Sequence, residues 1–147
     1  MDTLPAQIRP ANLDDAAALT ALSLQLGYET NVRGVSERLS HLSAAPDQAV
    51  FVAEIDGHVI GWVHVFFACY IESERFAEIG GLVVDEHWRC KGVGAQLMHR
   101  AEAWTRENGV SLVRLRSNFI RETAHQFYSN LGYSHEKSQK VFNKKLK

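Results

Sequence analysis

The sequence has 147 residues, with 46% hydrophobic and 22% charged residues and a formal net charge of −1, values typical of one soluble globular domain. The near-neutral charge gives no reason to expect non-specific nucleic-acid binding, and no apolar run approaches the roughly 20 residues of a membrane-spanning helix. No signal peptide is recognisable, two cysteines are too few for a disulfide framework, and the seven histidines lack metal-ligand spacing. We therefore expect a single domain over residues 1–147, located in the cytoplasm, with no metal, membrane or nucleic-acid partner.

The beginning of the chain is predicted to form a short strand and a helix. Residues 8–11 are predicted as a strand, because Pro10 forces its predecessor into an extended conformation. Asn12 is the predicted N-cap of the first helix, which ends near Gly27. The apolar residues of this helix recur at helical spacing: Leu19, Leu22 and Leu26. A polar connector is expected over residues 28–34.

A second, shorter helix and a β-hairpin are predicted next. The helix stops before Pro46, and its apolar stripe consists of Val35, Leu39 and Leu42. Two runs rich in β-forming residues, 49–55 and 59–67, are joined through Asp56-Gly57. Asp-Gly between apolar strands is the strongest short-range hairpin signal. Residues 69–75 are predicted to be a loop that holds Glu72 and Glu74.

The second half of the chain alternates strands with helices. A strand over 76–84 leads into a helix that ends at Asn108-Gly109 and whose apolar face is Val93, Leu97, Ala101 and Trp104. Residues 110–116 are predicted as a strand and 121–130 as a short helix. One or two further strands are expected after Tyr133. This order predicts a mixed α/β fold, with a sheet that is part antiparallel and part parallel.

The pattern R-x-x-G-x-G, formed by Arg89, Gly92 and Gly94, lies between an apolar strand and a helix. Glycines here let a ligand approach the backbone, and the first N–H groups of a helix are unpaired and partially positive. We therefore predict that residues 90–95 hold a pyrophosphate by their backbone. A Rossmann fingerprint would need a third glycine in place of Leu97, and the G-K-[ST] of a P-loop is absent. A purely structural tight turn is the alternative.

At this point the chain resembles the GNAT acyl-CoA N-acetyltransferase family, whose signature [QR]-x-x-G-x-[GA] follows a strand with residues like Val84-Asp85. Cys90 departs from this pattern, since glycine is frequent at its position. A second run, SN-x5-AHQFY-x2-LGY from Ser117 to Tyr133, is similar to the family's N-x-x-A-x-x-F-Y-x-x-x-G-[FY]. The resemblance implies a GNAT fold: a central mixed, mostly antiparallel sheet flanked by helices, with a splayed strand pair that holds acetyl-CoA as co-substrate.

The resemblance also implies roles for individual residues. Tyr128 would protonate the departing CoA thiolate, although a core aromatic beside Phe127 is the alternative, and Asn118 would hydrogen-bond pantetheine unless it is only a turn residue. Gly80-Gly81 fits a bulge that opens the strand pair, or simple flexibility of a buried strand. The implied acetyl-CoA contacts are Leu82, Val83, Val84, Arg89, Cys90, Lys91, Gly92, Val93, Gly94, Ala95, Asn118, Ala124 and Phe127.

Glu78 is the one carboxylate in an otherwise apolar strand. A primary amine arrives protonated, with a pKa of about 10, and must lose a proton before it attacks. Glu78 is predicted to take that proton directly or through water. Because strand residues alternate, it is expected to share a face with Gly80, Leu82 and Val84. An edge-facing or salt-bridged glutamate is the alternative.

Other readings of the chain remain open. Cys90, at a helix N-terminus with His87 nearby, is a rival candidate as a nucleophile or redox sensor. Glu72 and Glu74 would favour a polycationic acceptor, whereas Arg33 and Arg75 would favour a phosphonate. The main hypothesis is transfer of acetyl from acetyl-CoA to a primary amine of a small molecule in a ternary complex. The alternatives are a protein or peptide N-acetyltransferase and a catalytically silent acyl-CoA-binding domain. Homodimers are common in the family, so a homodimer is also an expectation.

Overall fold

The computed structural model describes residues 6–117 and 122–147. These residues fall into two compact units, divided between Leu115 and Arg116. The strands are β1 (Gln7–Pro10), β2 (Gln48–Ile55), β3 (His58–Ala68), β4 (Phe76–Val84) and β5 (Val113–Leu115). The helices are α1 (Ala16–Gln25), α2 (Val32–Ala44), α3 (Val93–Glu107) and α4 (Glu122–Asn130). Only α4 belongs to the second unit.

The first unit is built on a five-stranded sheet whose spatial order follows the sequence, from β1 to β5. The first three pairings are antiparallel, and only β4 and β5 run parallel. A parallel pair needs a crossover, and α3 supplies it. The predicted fold class, a mixed and mostly antiparallel sheet with helices, is therefore confirmed.

The hairpin between β2 and β3 has the predicted two-residue turn. Asp56 and Gly57 have φ of 49° and 79°, and Ile55 pairs directly with His58. Positive φ at both central residues is the requirement of a type I′ turn, whose twist matches that of the flanking strands. The turn fixes the register of β2 against β3, and so it determines which side chains of β2 lie beside those of β3 on each face.

The helices cover the sheet on both faces. Leu19 of α1 and Leu39 of α2 pack with Val52, and Trp62 lies against the same cluster. On the opposite face, the ring of Trp104 in α3 stacks on Phe67 with the centroids 4.3 Å apart. The predicted apolar stripes of all three helices therefore face the sheet, as their helical spacing indicates.

The predicted connector over residues 28–34 is too long, because α2 already begins at Val32. The Asn31 side chain accepts a hydrogen bond from the N–H of Gly34 at 2.8 Å, so it caps the helix. Asparagine is among the best N-cap residues, so Asn31 is a helix-start signal that the sequence carries. Asn12 is an N-cap, as predicted. It caps a short 3₁₀ turn, Leu13–Asp15, that leads into α1.

In the second unit, α4 ends in a Schellman motif. The N–H of Tyr133 donates to the carbonyl of Tyr128 at 3.0 Å, and the N–H of Gly132 donates to Ser129 at 3.0 Å. Gly132 has φ of 95°, which a residue with a side chain rarely adopts. The rings of Tyr128 and Tyr133 lie edge to face with centroids 6.1 Å apart, so the L-G-Y sequence fixes the last turn around Tyr128.

The prediction of one or two strands after Tyr133 is wrong, because residues 133–147 contain neither helix nor strand. Lysines are frequent in this segment, and every side chain from Ser134 onwards is exposed. Its apolar residues do not alternate over a strand length, and Val141 and Phe142 are 74% and 87% exposed. A strand needs a ladder partner and a buried face, and this segment has neither. Within the described residues, no helix is long and apolar enough to cross a membrane.

An ion-pair network joins β1 to its neighbours. The guanidinium of Arg9 donates to both carboxylate oxygens of Asp15, at 2.8 and 2.9 Å, and its Nε donates to Glu54 at 3.2 Å. The Asp15 side chain is only 6% exposed. The hydrogen bonds from Arg9 lower the pKa of Asp15 below its ordinary value of 3.8, against the opposing effect of burial.

We predict that Asp15→Asn lowers the free energy of unfolding at pH 7 by about 2 kcal/mol, the scale of hydrogen bonds to charged groups. Because the folded pKa is depressed, the stabilisation by Asp15 is present above about pH 4 and is lost as the pH falls through the folded pKa. Urea denaturation between pH 2 and 8 measures it. The wild type and the variant should converge at the lowest pH. Asp14→Asn, at the exposed neighbouring position, is the matched control, and a pH-independent deficit in Asp15→Asn would contradict the ion-pair account.

Candidate active site

A β-bulge interrupts β4 at the predicted position. Gly81 pairs with His64 and Ile79 pairs with Val65, so Gly80 is an extra residue with no counterpart on β3. The prediction of a bulge at Gly80-Gly81 is confirmed. An extra residue increases the local twist and bends the strand, which is why bulges are frequent beside active sites.

The bulge changes which residues of β4 share a face. Glu78 pairs with Phe66, Gly81 with His64, and Val83 with Trp62, whereas Leu82 pairs with Val63. The prediction that Glu78 shares a face with Leu82 and Val84 is therefore wrong, because it assumed uninterrupted alternation. By register, Glu78 lies on the same face as Gly81 and Val83, the face that α1 and α2 cover.

Both glycines of the bulge are required by close packing. A Cβ at Gly80 would lie 2.5 Å from Nδ1 of His64, and a Cβ at Gly81 would lie 2.6 Å from the ring of Trp62. Real Cβ atoms do not approach other atoms so closely, so a side chain at either position would displace an aromatic ring. The absence of two side chains is therefore what allows His64 and Trp62 to lie against β4.

The pairing of β4 with β5 covers only the first half of β4. The parallel pairing contains Ala77 with Val113 and ends with Ile79 opposite Leu115, while β4 continues to Val84. In the part of the chain that the structure describes, no strand pairs with residues 80–84 on this side. Among the described strands, none therefore occupies this side of residues 80–84, and such a strand edge is the kind of surface that an extended ligand can pair with.

The direction of the β4 peptide groups follows from the ladder with β3. The N–H of Asp85 donates to the carbonyl of Ile60 at 2.8 Å, and hydrogen-bonding direction alternates along an antiparallel pair. The peptide groups of Leu82 and Val84 therefore point away from β3, towards the side where β5 has ended. Consistent with this, the Val84 carbonyl accepts a hydrogen bond from Nε of Arg89 at 3.3 Å.

The turn between β4 and α3 has the geometry of an anion-binding loop. Cys90 and Gly92 both have positive φ, of 62° and 87°. The first i to i−4 bond of α3 runs from the N–H of Gln96 to the carbonyl of Gly92, so the N–H groups of residues 93–95 have no partner inside the helix. Arg89, Cys90, Lys91 and Gly92 are exposed. The loop therefore offers several backbone donors to solvent beside the open edge of β4.

A side chain from α1 ties this turn to the rest of the first unit. Nε2 of Gln25 donates to Asp85 at 3.4 Å, and Oε1 of Gln25 accepts from the N–H of Glu86 at 3.1 Å. Asp85 also caps the following 3₁₀ turn by accepting the N–H of His87 at 2.8 Å. These contacts fix the start of the loop at the end of β4.

A cavity of about 860 Å³ lies between the bulged segment of β4 and the first two helices. Its floor includes Trp62, His64, Gly80 and Gly81. Its charged and titratable rim residues come from the α1–α2 connection and from α2: Glu29, Glu37, Arg38 and His41. This volume lies within the range of small-molecule sites, about 300–1,000 Å³.

Leu82 and Val83, which the sequence predicts as acetyl-CoA contacts, also line this cavity, but sequence reasoning missed its polar side chains. Glu72, Glu74, Arg33 and Arg75, considered for acceptor recognition, are not among the lining residues. Arg33 instead pairs with Glu37 at 3.3 Å on the exposed side of α2. His64 is, like Glu78, a titratable residue inside an apolar strand. The criterion that identified Glu78 would therefore also have identified His64.

His64 is held by a neighbouring strand. Its Nε2 lies 2.7 Å from Oε1 of Gln48 on β2, and its ring lies 5.4 Å from that of Phe66. Burial lowers the pKa of the His64 imidazole below its ordinary value of 6.5. The ring is therefore neutral at pH 7, and because Gln48 Oε1 can only accept, the proton lies on Nε2.

The second unit contains three of the predicted residues. Ala124, Phe127 and Tyr128 are half-buried on α4, and the rings of Phe127 and Tyr128 lie edge to face at 5.1 Å. Asn118 lies outside the described residues. Among the described residues, no group of three or more His, Cys, Asp or Glu side chains is arranged to hold a metal ion.

Comparison with known proteins gives a family and a set of relatives. Residues 46–135 match the model of the acetyltransferase (GNAT) domain. An uncharacterized N-acetyltransferase of Chlorobaculum tepidum is 31% identical over 128 residues, with 86% of this chain and 74% of the relative covered. The aminoalkylphosphonate N-acetyltransferase of Salmonella typhimurium is 28% identical, with 90% and 88% covered. The aminoglycoside N(6')-acetyltransferase type 1 of Stenotrophomonas maltophilia is 30% identical, with 91% and 88% covered.

Solved structures show the same fold at low sequence identity. The aminoglycoside 6'-N-acetyltransferase AAC(6')-Ih from Acinetobacter baumannii aligns with a TM-score of 0.84 at 16% identity, covering 97% of this chain and 99% of that one. AAC(6')-Iy, solved with a bisubstrate analog of CoA and acetylneamine, aligns with a TM-score of 0.86 at 19% identity, covering 96% and 99%.

The backbone at Cys90 provides a test of the loop geometry. Left-handed φ costs a residue with a Cβ about 1 kcal/mol, so Cys90→Gly should relieve this strain. We expect the melting temperature of the free protein to rise or stay equal, whereas Cys90→Val should lower it by several degrees, because a β-branched residue tolerates positive φ poorly. Lys91→Gly is the control, and it should destabilise through the entropy of the unfolded chain. A lower melting temperature for Cys90→Gly would contradict the described loop.

Proposed function

The chain belongs to the GNAT family of acetyltransferases, and on this premise we propose that it transfers the acetyl group of acetyl-CoA to a primary amine of a small molecule. The reaction is proposed as direct attack by the amine in a ternary complex. The observation that carries the proposal is the segment of β4 beyond Ile79, beside the glycine-containing turn. Among the described residues no strand pairs with this segment on the side of β5, and the segment leads into the turn that precedes the N-terminus of α3.

The donor site is proposed along that edge. Acetyl-CoA supplies an acetyl group activated as a thioester. The peptide groups of residues 82–84 are proposed to hydrogen-bond the pantetheine amides as a neighbouring strand would. The N–H groups of residues 90–95 are proposed to hold the diphosphate, since a helix N-terminus favours negative charge. Arg89 and Lys91 add positive charge there, and Asn118, Ala124 and Phe127 are proposed to complete the donor site.

The acyl-transfer chemistry requires proton removal from the amine. The ammonium form of the acceptor loses one proton before it attacks, and the nitrogen loses a second as the C–N bond forms and the C–S bond breaks. Glu78 is proposed as an acceptor of the first proton, directly or through water. A backbone N–H of β4 directed at the carbonyl oxygen would stabilise the developing negative charge by about 2.7–4 kcal/mol.

Tyr128 is proposed to protonate the departing thiolate. A phenol with a pKa of about 10 is a weak acid towards a thiolate whose conjugate acid has a pKa near 8.5, so the geometry must supply much of the effect. The Schellman motif supports this proposal, because it fixes the turn that carries Tyr128. Proton transfer to sulfur balances the second proton lost by the nitrogen.

The acceptor is proposed to be a small molecule because of the cavity and the relatives. A volume of about 860 Å³, rimmed by carboxylates as well as an arginine, suits a compact polar amine. Two relatives are named for acetylation of aminoalkylphosphonates and aminoglycosides. The rim carries both positive and negative side chains, so its charge favours neither an aminoalkylphosphonate nor an aminoglycoside. Activity in the cytoplasm as a homodimer is part of the same proposal.

The proposal predicts thiol release from acetyl-CoA that depends on an added amine. The panel contains neamine, 2-aminoethylphosphonate, spermidine and a lysine-containing peptide, and we expect turnover with at least one of the small amines. Glu78→Gln and Tyr128→Phe should each lower kcat by about 100-fold, the scale of general acid–base catalysis, with little change in CoA affinity. Asp14→Asn, at an exposed position outside the proposed site, is the control and should keep full activity.

The outcomes separate the alternatives. Turnover confined to the peptide would favour a protein N-acetyltransferase. Binding of CoA in calorimetry without thiol release from any amine would favour a silent acyl-CoA-binding domain. Unchanged kcat in both Glu78→Gln and Tyr128→Phe would contradict the assigned chemistry and leave the donor site standing.

A further inference from the structure

We propose that His64 is the group that contacts the acceptor amine and takes its proton, and that Gln48 is the positioning residue that directs the imidazole for this task. The inference rests on the proposed acetyl transfer and identifies its first proton acceptor. This changes the role proposed above for Glu78: it lies further along the same face of the sheet and receives the proton after His64, not directly from the amine. No resident cofactor is needed for this step.

Position is the first argument. His64 lines the large cavity together with Gly80 and Gly81 of the bulge. Glu78 is not among the lining residues. Nδ1 of His64 faces Gly80, since a Cβ built there would lie 2.5 Å from it. The bulge adjoins the strand segment proposed to hold the thioester. An amine bound in the cavity therefore meets His64 on its way to the reacting carbonyl.

The hydrogen bond from β2 is the second argument. Nε2 of His64 donates to Oε1 of Gln48 at 2.7 Å, which leaves the lone pair on Nδ1, the atom at the bulge. A histidine is an effective base only when the nitrogen that faces the substrate is unprotonated. Gln48 makes this tautomer the favoured one, as the second group of a catalytic histidine commonly does.

The charge state is the third argument. Burial lowers the pKa of His64, so the ring is neutral and able to accept at pH 7. The charged and titratable groups that line the cavity with His64 come from the α1–α2 connection and from α2: Tyr28, Glu29, Glu37, Arg38 and His41. On the sheet, Glu78 of β4 lies on the same face, opposite Phe66, and Arg114 of β5 pairs with Glu78. Once His64 is protonated, the carboxylates among these groups offer the proton a route to solvent.

The proton balance is simple. The ammonium N–H bond breaks, its proton moves to Nδ1, and the electron pair stays on nitrogen to form the bond to the acetyl carbon. The imidazolium then releases the proton to water or towards Glu78. Nothing is oxidised or reduced, and the sulfur receives its proton separately.

The test compares His64→Gln with the wild type, using neamine or 2-aminoethylphosphonate, whichever the wild type acetylates faster. At pH 7 we expect kcat/KM to fall by about 100-fold, with CoA binding unchanged in calorimetry. The deficit should shrink as the pH approaches 10, because the free amine then needs no base. If the substitution only disturbed packing, the deficit in kcat/KM would be the same at every pH. His58→Gln, an exposed histidine on the same strand outside this cavity, is the matched control.

Gln48 gives a second, independent readout. Gln48→Leu should let the proton move to Nδ1, which the ¹⁵N chemical shifts of the ring report, and should lower kcat with little change in KM. Gln48→Glu keeps an acceptor oxygen, so it should preserve the tautomer. Its carboxylate should also raise the pKa of His64, shifting the acidic limb of the kcat/KM profile to higher pH.

These experiments distinguish failure of the proposed function from failure of this inference. If the wild type acetylates no amine, the proposed function and this inference fall together. If the wild type is active but His64→Gln keeps kcat/KM within threefold, or its deficit is independent of pH, only this inference is overturned. A wild-type ring that carries its proton on Nδ1 would also overturn it.

Discussion

A Cβ atom at Gly80 or Gly81 would lie within 2.6 Å of His64 or Trp62, and Gly80 has no counterpart on β3. The rest of the site depends on this constraint. The extra residue resets the register beyond Gly80, so that Gly81 and Val83, rather than Leu82 and Val84, share the face of Glu78 and His64. The missing side chains let two rings lie against β4 and form the floor of the cavity. The pairing with β5 ends at Ile79, just before the bulge, and no described strand covers this edge beyond it. The proposed donor edge and the proposed acceptor cavity thus both adjoin the same local irregularity.

The two proposed tasks of the site use different parts of the chain. Donor binding is assigned mainly to backbone groups of β4 and of the turn before α3. Many different side chains are compatible with this role. Proton transfer is assigned to particular side chains, such as His64, whose placement depends on neighbours in other strands.

Features that depend on local chemistry could be predicted from the sequence. The Asp56-Gly57 hairpin, the apolar face of α3 and the glycine bulge each follow from residues that are adjacent in sequence or one helical turn apart. Features that depend on pairing between distant segments could not be predicted from the sequence. The face that Glu78 shares requires knowing that Gly80 is skipped in the ladder, and the cavity rim at Glu29 and Arg38 requires knowing how α1 and α2 pack. The strands expected after Tyr133 failed for the same reason, since a strand is defined by its partner.

The central claim is that main-chain amides of the turn after β4 hold the diphosphate of coenzyme A. Titration of the ¹⁵N-labelled protein with coenzyme A, followed by amide chemical shifts, tests it most directly. The account predicts that the largest changes fall on the N–H groups of residues 90–95, with a second set at residues 82–84, and that pantetheine alone reproduces only the second set. Saturation by coenzyme A with the resonances of residues 90–95 unmoved, or no binding at all, would contradict it.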